Sequence, residues 1–275
     1  MTFLAGWVET EITAKDAERL LQAHITQSLN YTKKDVTIDC SEFYALATNP
    51  QKIKAEQDVI LVNAGNTKLS LSAENIITNY QKKGEAFLAM NPAEQALVII
   101  DPKQKKLLLA TDTVGLTQLY YALTAKGLVF GTTADSVIAH PEVKSDISAQ
   151  SVYDYVYFHH CPSPNTIYQQ VKKLEGGQVL IYQDGKIQIK HYWVPEFKET
   201  MPASSKEMAA ELQQHLIDSV KRLSEGEDNT GAFLSGGLDS SSVAGALAMV
   251  YPNKAKTFSM GFPVEGYDEI EYANI

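Results

Sequence analysis

The sequence predicts two fold classes in series: an α+β part of stacked antiparallel sheets with helices, then the start of an α/β part with a parallel sheet. Before residue 200, short strand-like runs alternate with turns and a few helical stretches, which favours stacked sheets covered by helices. After residue 230, a strand, a glycine-serine loop, a helix and a second strand follow one another. This short βαβ order predicts parallel strands joined by a right-handed crossover.

The elements of the first part begin with a strand over residues 3–10 and an amphipathic helix over 14–29, where apolar residues recur at helical spacing. Ser72 is expected to begin a helix that reaches Lys83, and Gly84 is expected to end it. Three further strand-like runs are predicted at residues 36–38, 43–47 and 59–62.

Two hairpins complete this part. The runs 96–100 and 107–110 are apolar and flank a turn that contains proline and lysines, so they are expected to pair. The runs 119–123 and 128–131 are expected to pair in the same way across a short turn that contains glycine.

A linker is predicted over residues 195–205, because prolines and small polar residues favour an extended connection. A helix is predicted to follow over 206–223, capped by Ser204 or Ser205. Apolar residues at helical spacing form its expected buried stripe: Met208, Leu212, Leu216, Val220 and Leu223.

Composition and charge exclude several classes of function. The 275 residues are 44% hydrophobic and carry a net charge of −9, which argues for a folded core and against general nucleic-acid binding. No apolar run is long enough to span a membrane, and the first residues lack the basic start of a signal peptide. We therefore expect a cytoplasmic protein. Cys40 and Cys161 lie too far apart for a metal pair, and His159 and His160 are expected in an ordinary loop.

The most informative segment lies between the predicted strand 231–233 and the helix that follows it. Glycines there let the backbone approach an anion, and the N–H groups at a helix start favour negative charge. A carboxylate beside phosphates is repulsive unless a cation lies between them, so Asp239 suggests Mg²⁺. The candidate phosphate-binding residues are Leu234, Ser235, Gly236, Gly237, Leu238, Asp239, Ser240 and Ser241.

This segment lacks the lysine of a Walker A loop and instead resembles the pyrophosphate loop of N-type ATP pyrophosphatases. Its form LSGGLDSS is similar to that of the asparagine synthetase and β-lactam synthetase family. The resemblance implies ATP and Mg²⁺, activation of a carboxylate as an adenylate with release of pyrophosphate, and attack by ammonia or an amine. It also implies that Ser259, Met260 and Gly261, at the end of the second strand, hold adenine through backbone groups. Residues 267–269 resemble the acidic stretch that follows in the family, although a solvated turn is an equal alternative.

The earlier part resembles the class II glutamine amidotransferase domain of the same family, which has an Ntn-hydrolase-like fold. Residues 107–121, LLLATDTVGLTQLYY, are similar to the family's LLLARDPLGIRPLYY, and residues 173–178 are similar to its KLPPGH. The resemblance implies an amidotransferase-like domain over 1–194 and the N-terminal part of an ATP-binding domain over 206–275. The chain ends in what reads as the next helix, and it lacks the family's later acidic glycine motif. We therefore expect an incomplete synthetase half.

The family's glutaminase residues are not matched. Its nucleophile is an N-terminal cysteine, whereas position 2 is Thr2, which is a nucleophile only in principle. Residues 63–67 lack the family's substrate-holding glutamate. The family's amine-binding aspartate either corresponds to Glu85, a longer carboxylate, or is absent. The domain is therefore expected to be a scaffold without glutaminase activity.

Three functions remain open at this point: an ATP-dependent amide-forming ligase, an inactive binding or assembly module, and a glutamine-hydrolysing synthetase that uses Thr2. The expected partners are a small carboxylate and an amine or ammonia, without nucleic acid or membrane. A homodimer is compatible with the resemblance.

Overall fold

The computed structural model describes residues 4–8, 21, 36–48, 53–56, 58–64, 72–90, 95–197, 203–226, 229–261 and 270–273. The chain divides into two compact units, Met1–Glu196 and Phe197–Ile275, which are described separately. No described helix is long and apolar enough to cross a membrane.

The first unit contains two six-stranded antiparallel sheets. In chain order the strands are β1 (Leu4–Val8), β2 (Thr37–Cys40), β3 (Tyr44–Thr48), β4 (Ile53–Glu56), β5 (Val59–Asn63), β6 (Leu97–Asp101), β7 (Lys106–Ala110), β8 (Tyr120–Leu123), β9 (Leu128–Gly131), β10 (Lys172–Lys173), β11 (Gln178–Gln183) and β12 (Lys186–His191). One sheet has the order β10-β8-β9-β1-β3-β2, and the other has the order β12-β11-β7-β6-β5-β4. The two predicted hairpins are present, as β6 with β7 and β8 with β9.

The main core lies between the inner faces of the two sheets. Alternate residues of the central strands point inward, as Leu4 and Val8 do from β1 and Val98 and Ile100 do from β6. The residues between them are also buried, because helices cover the outer faces. Strands buried on both faces read as continuous apolar runs, which explains why these segments do not alternate with polar residues.

Helices form the outer layers. One sheet is covered by α1 (Ala73–Lys83), a 3₁₀ turn (Gly84–Ala86) and α2 (Phe87–Met90), through Ile76, Tyr80 and Phe87 among others. The other is covered by α3 (Ala134–Ile138), through Val137, and by Leu21, which is the only described residue of the predicted helix 14–29. This helix–sheet–sheet–helix order confirms the predicted Ntn-hydrolase-like α+β fold. A further helix, α4 (Ala149–Phe158), follows α3.

The predicted bounds of α1 are correct at both ends. The Ser72 hydroxyl accepts a hydrogen bond from the Asn75 N–H, which satisfies one donor of the first turn. Gly84 follows Lys83 with φ of 58°, a left-handed conformation that favours glycine, and its N–H donates to Tyr80 O.

The two segments that carry the amidotransferase resemblance interlock at one end of the sheets. The buried Asp112 carboxylate accepts hydrogen bonds from the N–H groups of Val114, Leu116 and Thr117, at 2.9–3.2 Å. Its backbone carbonyl accepts another from Gly177 at 2.8 Å. A Cβ on Gly176 would lie within 3 Å of the backbone of residues 113–115, so the two loops approach too closely for a side chain there.

The second unit begins with α5 (Ser205–Ser224), followed by β13 (Gly231–Phe233), α6 (Leu238–Val250), β14 (Lys256–Phe258) and α7 (Ile270–Ala273). Strands β13 and β14 are parallel, which confirms the predicted start of an α/β sheet. Ser204 caps α5 in a capping box with Glu207.

The predicted buried stripe of α5 is correct at Val220 and partly correct at Leu216, which packs against the same cluster. It is wrong at Met208, Leu212 and Leu223, which are 37%, 71% and 63% exposed. The buried side of α5 instead adds Ile217 and Ser224, because this side faces α6 and β13.

Candidate functional site

The glycine-serine loop lies at the carboxyl ends of the two parallel strands. Phe233 pairs with Phe258 in the last register position of the sheet. The residue that follows each strand therefore opens the candidate site: Leu234 after β13 and Ser259 after β14. Ligands of open α/β sheets bind at this edge.

The glycines shape the loop backbone. Gly236 has φ of +89°, which a residue with a side chain rarely adopts. A Cβ on Gly236 would also lie 2.5 Å from the Cβ of Tyr272 and 3.1 Å from the backbone nitrogen of Ala273, so α7 packs directly on this side of the loop. Gly237 is the N-cap of α6 and provides no side-chain cap.

The start of α6 therefore carries unused donors. Ser241 N–H donates to Gly237 O at 3.0 Å, as the first bond of the helix. The N–H groups of Leu238, Asp239 and Ser240 have no acceptor among the described residues. Unpaired N–H groups and the positive end of the helix dipole point to the same place, an arrangement suited to an anion.

Hydroxyl groups close the loop on itself. The Ser240 Oγ accepts a hydrogen bond from Ser235 N–H at 3.1 Å and lies 2.9 Å from Ser235 Oγ and 3.2 Å from Gly237 O. Ser235 Oγ also lies 3.4 Å from Gly237 N. These contacts fix the bend, whereas the exposed Ser241 hydroxyl makes no described hydrogen bond.

Asp239 lies in the first turn of α6, because the helix begins at Leu238. Its carboxylate is exposed, and no cation or donor contacts it in the described residues. Its position beside the unused N–H groups leaves it available to a cation that accompanies an anionic ligand.

The second strand end contacts the loop through Ser259. Its hydroxyl donates to Leu234 O at 2.7 Å, and Leu234 N–H donates to Phe258 O at 2.9 Å. Met260 and Gly261 follow and are exposed. The acidic stretch 267–269 lies outside the described residues. The structure thus brings residues 234–241 and 259–261 to one edge of the sheet.

Glu85, the described residue that best corresponds to the family's amine-binding aspartate, carries an ion-paired carboxylate. Glu85 contacts Lys106 Nζ at 2.9 Å and Lys190 Nζ at 3.1 Å. Burial alone would raise the pKa of Glu85, but hydrogen bonds from Lys106, the backbone and Lys190, with the Lys106 charge, lower that pKa to about 2. Both lysines therefore engage this carboxylate. Thr2 and residues 65–67 lie outside the described part of the chain.

The histidine pair has local structural roles. His159 is the left-handed C-cap of α4, with φ of 58°, and His160 Nδ1 lies 2.9 Å from Phe158 O. Within the described ranges, no group of three or more His, Cys, Asp or Glu residues is arranged to hold a metal.

Two features of these sites were missed by sequence reasoning. The Ser235–Ser240 hydroxyl pair depends on side-chain orientation, which the spacing of serines does not give. The Glu85 ion pairs join residues 21 and 105 positions apart, so no local pattern indicates them.

Two family models match the chain in succession. A glutamine amidotransferase domain matches residues 41–193, and an asparagine synthase domain matches residues 211–275. The first match covers more than half of the chain and includes the interlocked loops. The second includes α6 and the loop before it.

Among similar proteins, a glutamine-hydrolyzing asparagine synthetase candidate of Methanocaldococcus jannaschii is 32% identical over 76% of this chain and 41% of its own length. The glutamine-hydrolyzing asparagine synthetase 1 of Bacillus subtilis is 32% identical over 60% of this chain and 26% of its own length. The chain therefore spans well under half the length of these relatives. A solved B. subtilis glutamine phosphoribosylpyrophosphate amidotransferase overlaps with a TM-score of 0.35 at 13% identity, covering 94% of this chain and 65% of that one, which is too little to support a conclusion.

Proposed function

The chain belongs to the asparagine synthetase family, and on that premise we propose that its second unit provides the pyrophosphate-binding part of an ATP-dependent amide-forming ligase. In the proposed reaction, a substrate carboxylate attacks the α-phosphorus of ATP, an acyl-adenylate forms, and pyrophosphate leaves. Ammonia or an amine then displaces AMP from the acyl carbon and forms the amide. The observation that carries this proposal is the set of unused N–H groups at the start of α6.

The leaving pyrophosphate is the group that this loop would stabilise. The N–H groups of Leu238, Asp239 and Ser240 converge at the positive end of the α6 dipole, and donors fixed before the reaction favour charge that develops during it. The hydroxyls of Ser235, Ser240 and Ser241 would add donors after rotation. Gly236 provides the positive φ that bends the loop beneath α7, and Gly237 carries no Cβ beside the unused N–H groups.

Asp239 would bind the Mg²⁺ that accompanies ATP. Its exposed carboxylate provides one oxygen ligand, and phosphate oxygens and water suit the remaining positions of a hard cation. When bound, the metal would neutralise charge on the phosphates. Adenine would contact the backbone of Ser259, Met260 and Gly261.

For the first unit, we propose an amidotransferase-like scaffold over residues 1–194, joined by the linker 195–205 to the synthetase part over 206–275. The ion pairs of Glu85 support a scaffold role, because a carboxylate engaged by two lysines is a poor partner for a substrate amine. On this proposal, ammonia or an amine would come from outside the chain.

Calorimetric titration of the 275-residue chain with ATP, with and without Mg²⁺, tests the proposal. We expect saturable Mg-ATP binding that weakens at least tenfold in Ser235→Ala, because that change removes a loop hydroxyl and its contact with Ser240. Asp239→Asn should remove most of the Mg²⁺ dependence and retain residual metal-free binding. Ser242→Ala is the matched control, since Ser242 Oγ bonds only Leu238 O within the helix.

Two outcomes would favour the alternatives. No heat with Mg-ATP from a folded chain would favour the inactive binding module. Glutamine hydrolysis that disappears in Thr2→Ala would favour the glutamine-hydrolysing synthetase and contradict the scaffold role.

A further inference from the structure

The backbone of Leu234 is held at both its N–H and its carbonyl by residues at the end of the second strand. Its N–H donates to Phe258 O at 2.9 Å, which extends the parallel ladder by one bond. Its carbonyl accepts the Ser259 hydroxyl at 2.7 Å, a contact that no backbone ladder would supply. Leu234 is the last residue before Ser235, so the phosphate loop starts from a residue whose backbone Phe258 and Ser259 hold.

Because Ser259 also begins the segment proposed to hold adenine, we propose that its hydroxyl is a positioning group that couples the adenine and pyrophosphate halves of the site. This inference rests on the proposed function. Ser259 would not contact the reacting atoms. It would act through the Leu234 carbonyl, so that ordering of residues 259–261 by adenine also orders the loop at 235–237.

The consequence is a measurable coupling between two ligands. If both half-sites share the backbone of Leu234, a ligand that restrains this residue from one half-site reduces the entropic cost of binding at the other, and the effect must be reciprocal. A serine that only stabilised the fold would change the unfolding midpoint and leave the two half-sites independent.

The experiment titrates the full 275-residue chain with adenosine, alone and with saturating Mg-pyrophosphate, by ligand-observed NMR. We expect pyrophosphate to raise adenosine affinity about threefold to tenfold, the range that one net hydrogen bond supports. In Ser259→Ala this ratio should fall to about one, and affinity for Mg-ATP should fall by at least the same factor. Ser259→Thr keeps the hydroxyl and should restore the coupling.

Ser242→Ala is again the matched control, because it removes a hydroxyl-to-carbonyl bond of the same 2.7 Å length beside the loop. Unchanged coupling in Ser259→Ala would overturn this inference while Mg-ATP binding still supports the proposed function. Equal loss of coupling in Ser242→Ala would also overturn the inference, since any weakening of the unit would then suffice. If the unmodified chain binds neither Mg-ATP nor Mg-pyrophosphate, both proposals fail.

Discussion

Replacing Glu85 with glutamine tests whether this carboxylate is a structural ion-pair partner. Its pKa of about 2, against an ordinary 4.5, corresponds to an upper bound of roughly 3 kcal/mol of stabilisation at neutral pH. Water reduces this figure, because the Glu85 side chain is 25% exposed and Lys190 is 43% exposed. We therefore expect Glu85→Gln to lower the free energy of unfolding of the first unit by about 1–2 kcal/mol at pH 7.

The pH dependence gives the sharper test. A carboxyl whose pKa is lowered on folding stabilises the protein above its unfolded pKa of about 4.5, and this stabilisation is lost as the pH falls through about 2. More than half of the stabilisation that the Glu85 carboxylate provides at pH 7 should therefore be lost at pH 3. Urea unfolding followed by tryptophan fluorescence at pH 7, 5 and 3 measures it, with the exposed Glu74→Gln of α1 as control. The ion-pair explanation would be refuted if Glu85→Gln lowered the free energy of unfolding as much at pH 3 as at pH 7. An equal effect of Glu74→Gln would also refute it.

Three further changes have expected outcomes. Asp112→Ala should lower the free energy of unfolding by about 3 kcal/mol in urea titration, because the N–H groups of Leu116 and Thr117 lose their buried acceptor. A change below about 1 kcal/mol would contradict this reasoning. Gly236→Ala should weaken Mg-ATP binding at least tenfold in calorimetry and lower the free energy of unfolding of the second unit by about 1–2 kcal/mol, because the new Cβ meets a positive φ and Tyr272. Retained affinity for Mg-ATP would contradict the loop geometry. Ser204→Ala should lower stability by about 1 kcal/mol through loss of the α5 cap, with less effect from Glu207→Gln; an unchanged urea midpoint would contradict it.

Local patterns predicted the elements with good accuracy where local chemistry determines them. Ser72 and Gly84 set the ends of α1 through a hydroxyl cap and a left-handed backbone, and both features are visible in the residue types. The exposure of Leu212 and Leu223 could not be predicted in the same way. Helical spacing identifies an apolar face, but the neighbouring elements decide which part of that face is buried.

In the candidate site, too, the features set by local sequence were predictable and the contacts between distant residues were not. Its location followed from glycines and serines between a strand and a helix, because that composition is suited to an anion at the carboxyl edge of a parallel sheet. The contacts of Ser259 with Leu234 and of Glu85 with its lysines join residues distant in the chain. Only the folded arrangement reveals them.

The contact between the loops at Asp112 and Gly177 limits what sequence similarity in this family indicates about function. The two sequence segments that carry the amidotransferase resemblance are the two loops that pack closely against each other at the ends of their strands. Folding penalises change there whether or not glutamine is ever cleaved. Sequence similarity in these two loops therefore indicates a shared fold. Glutaminase activity has to be judged from the residue at the position of the nucleophile.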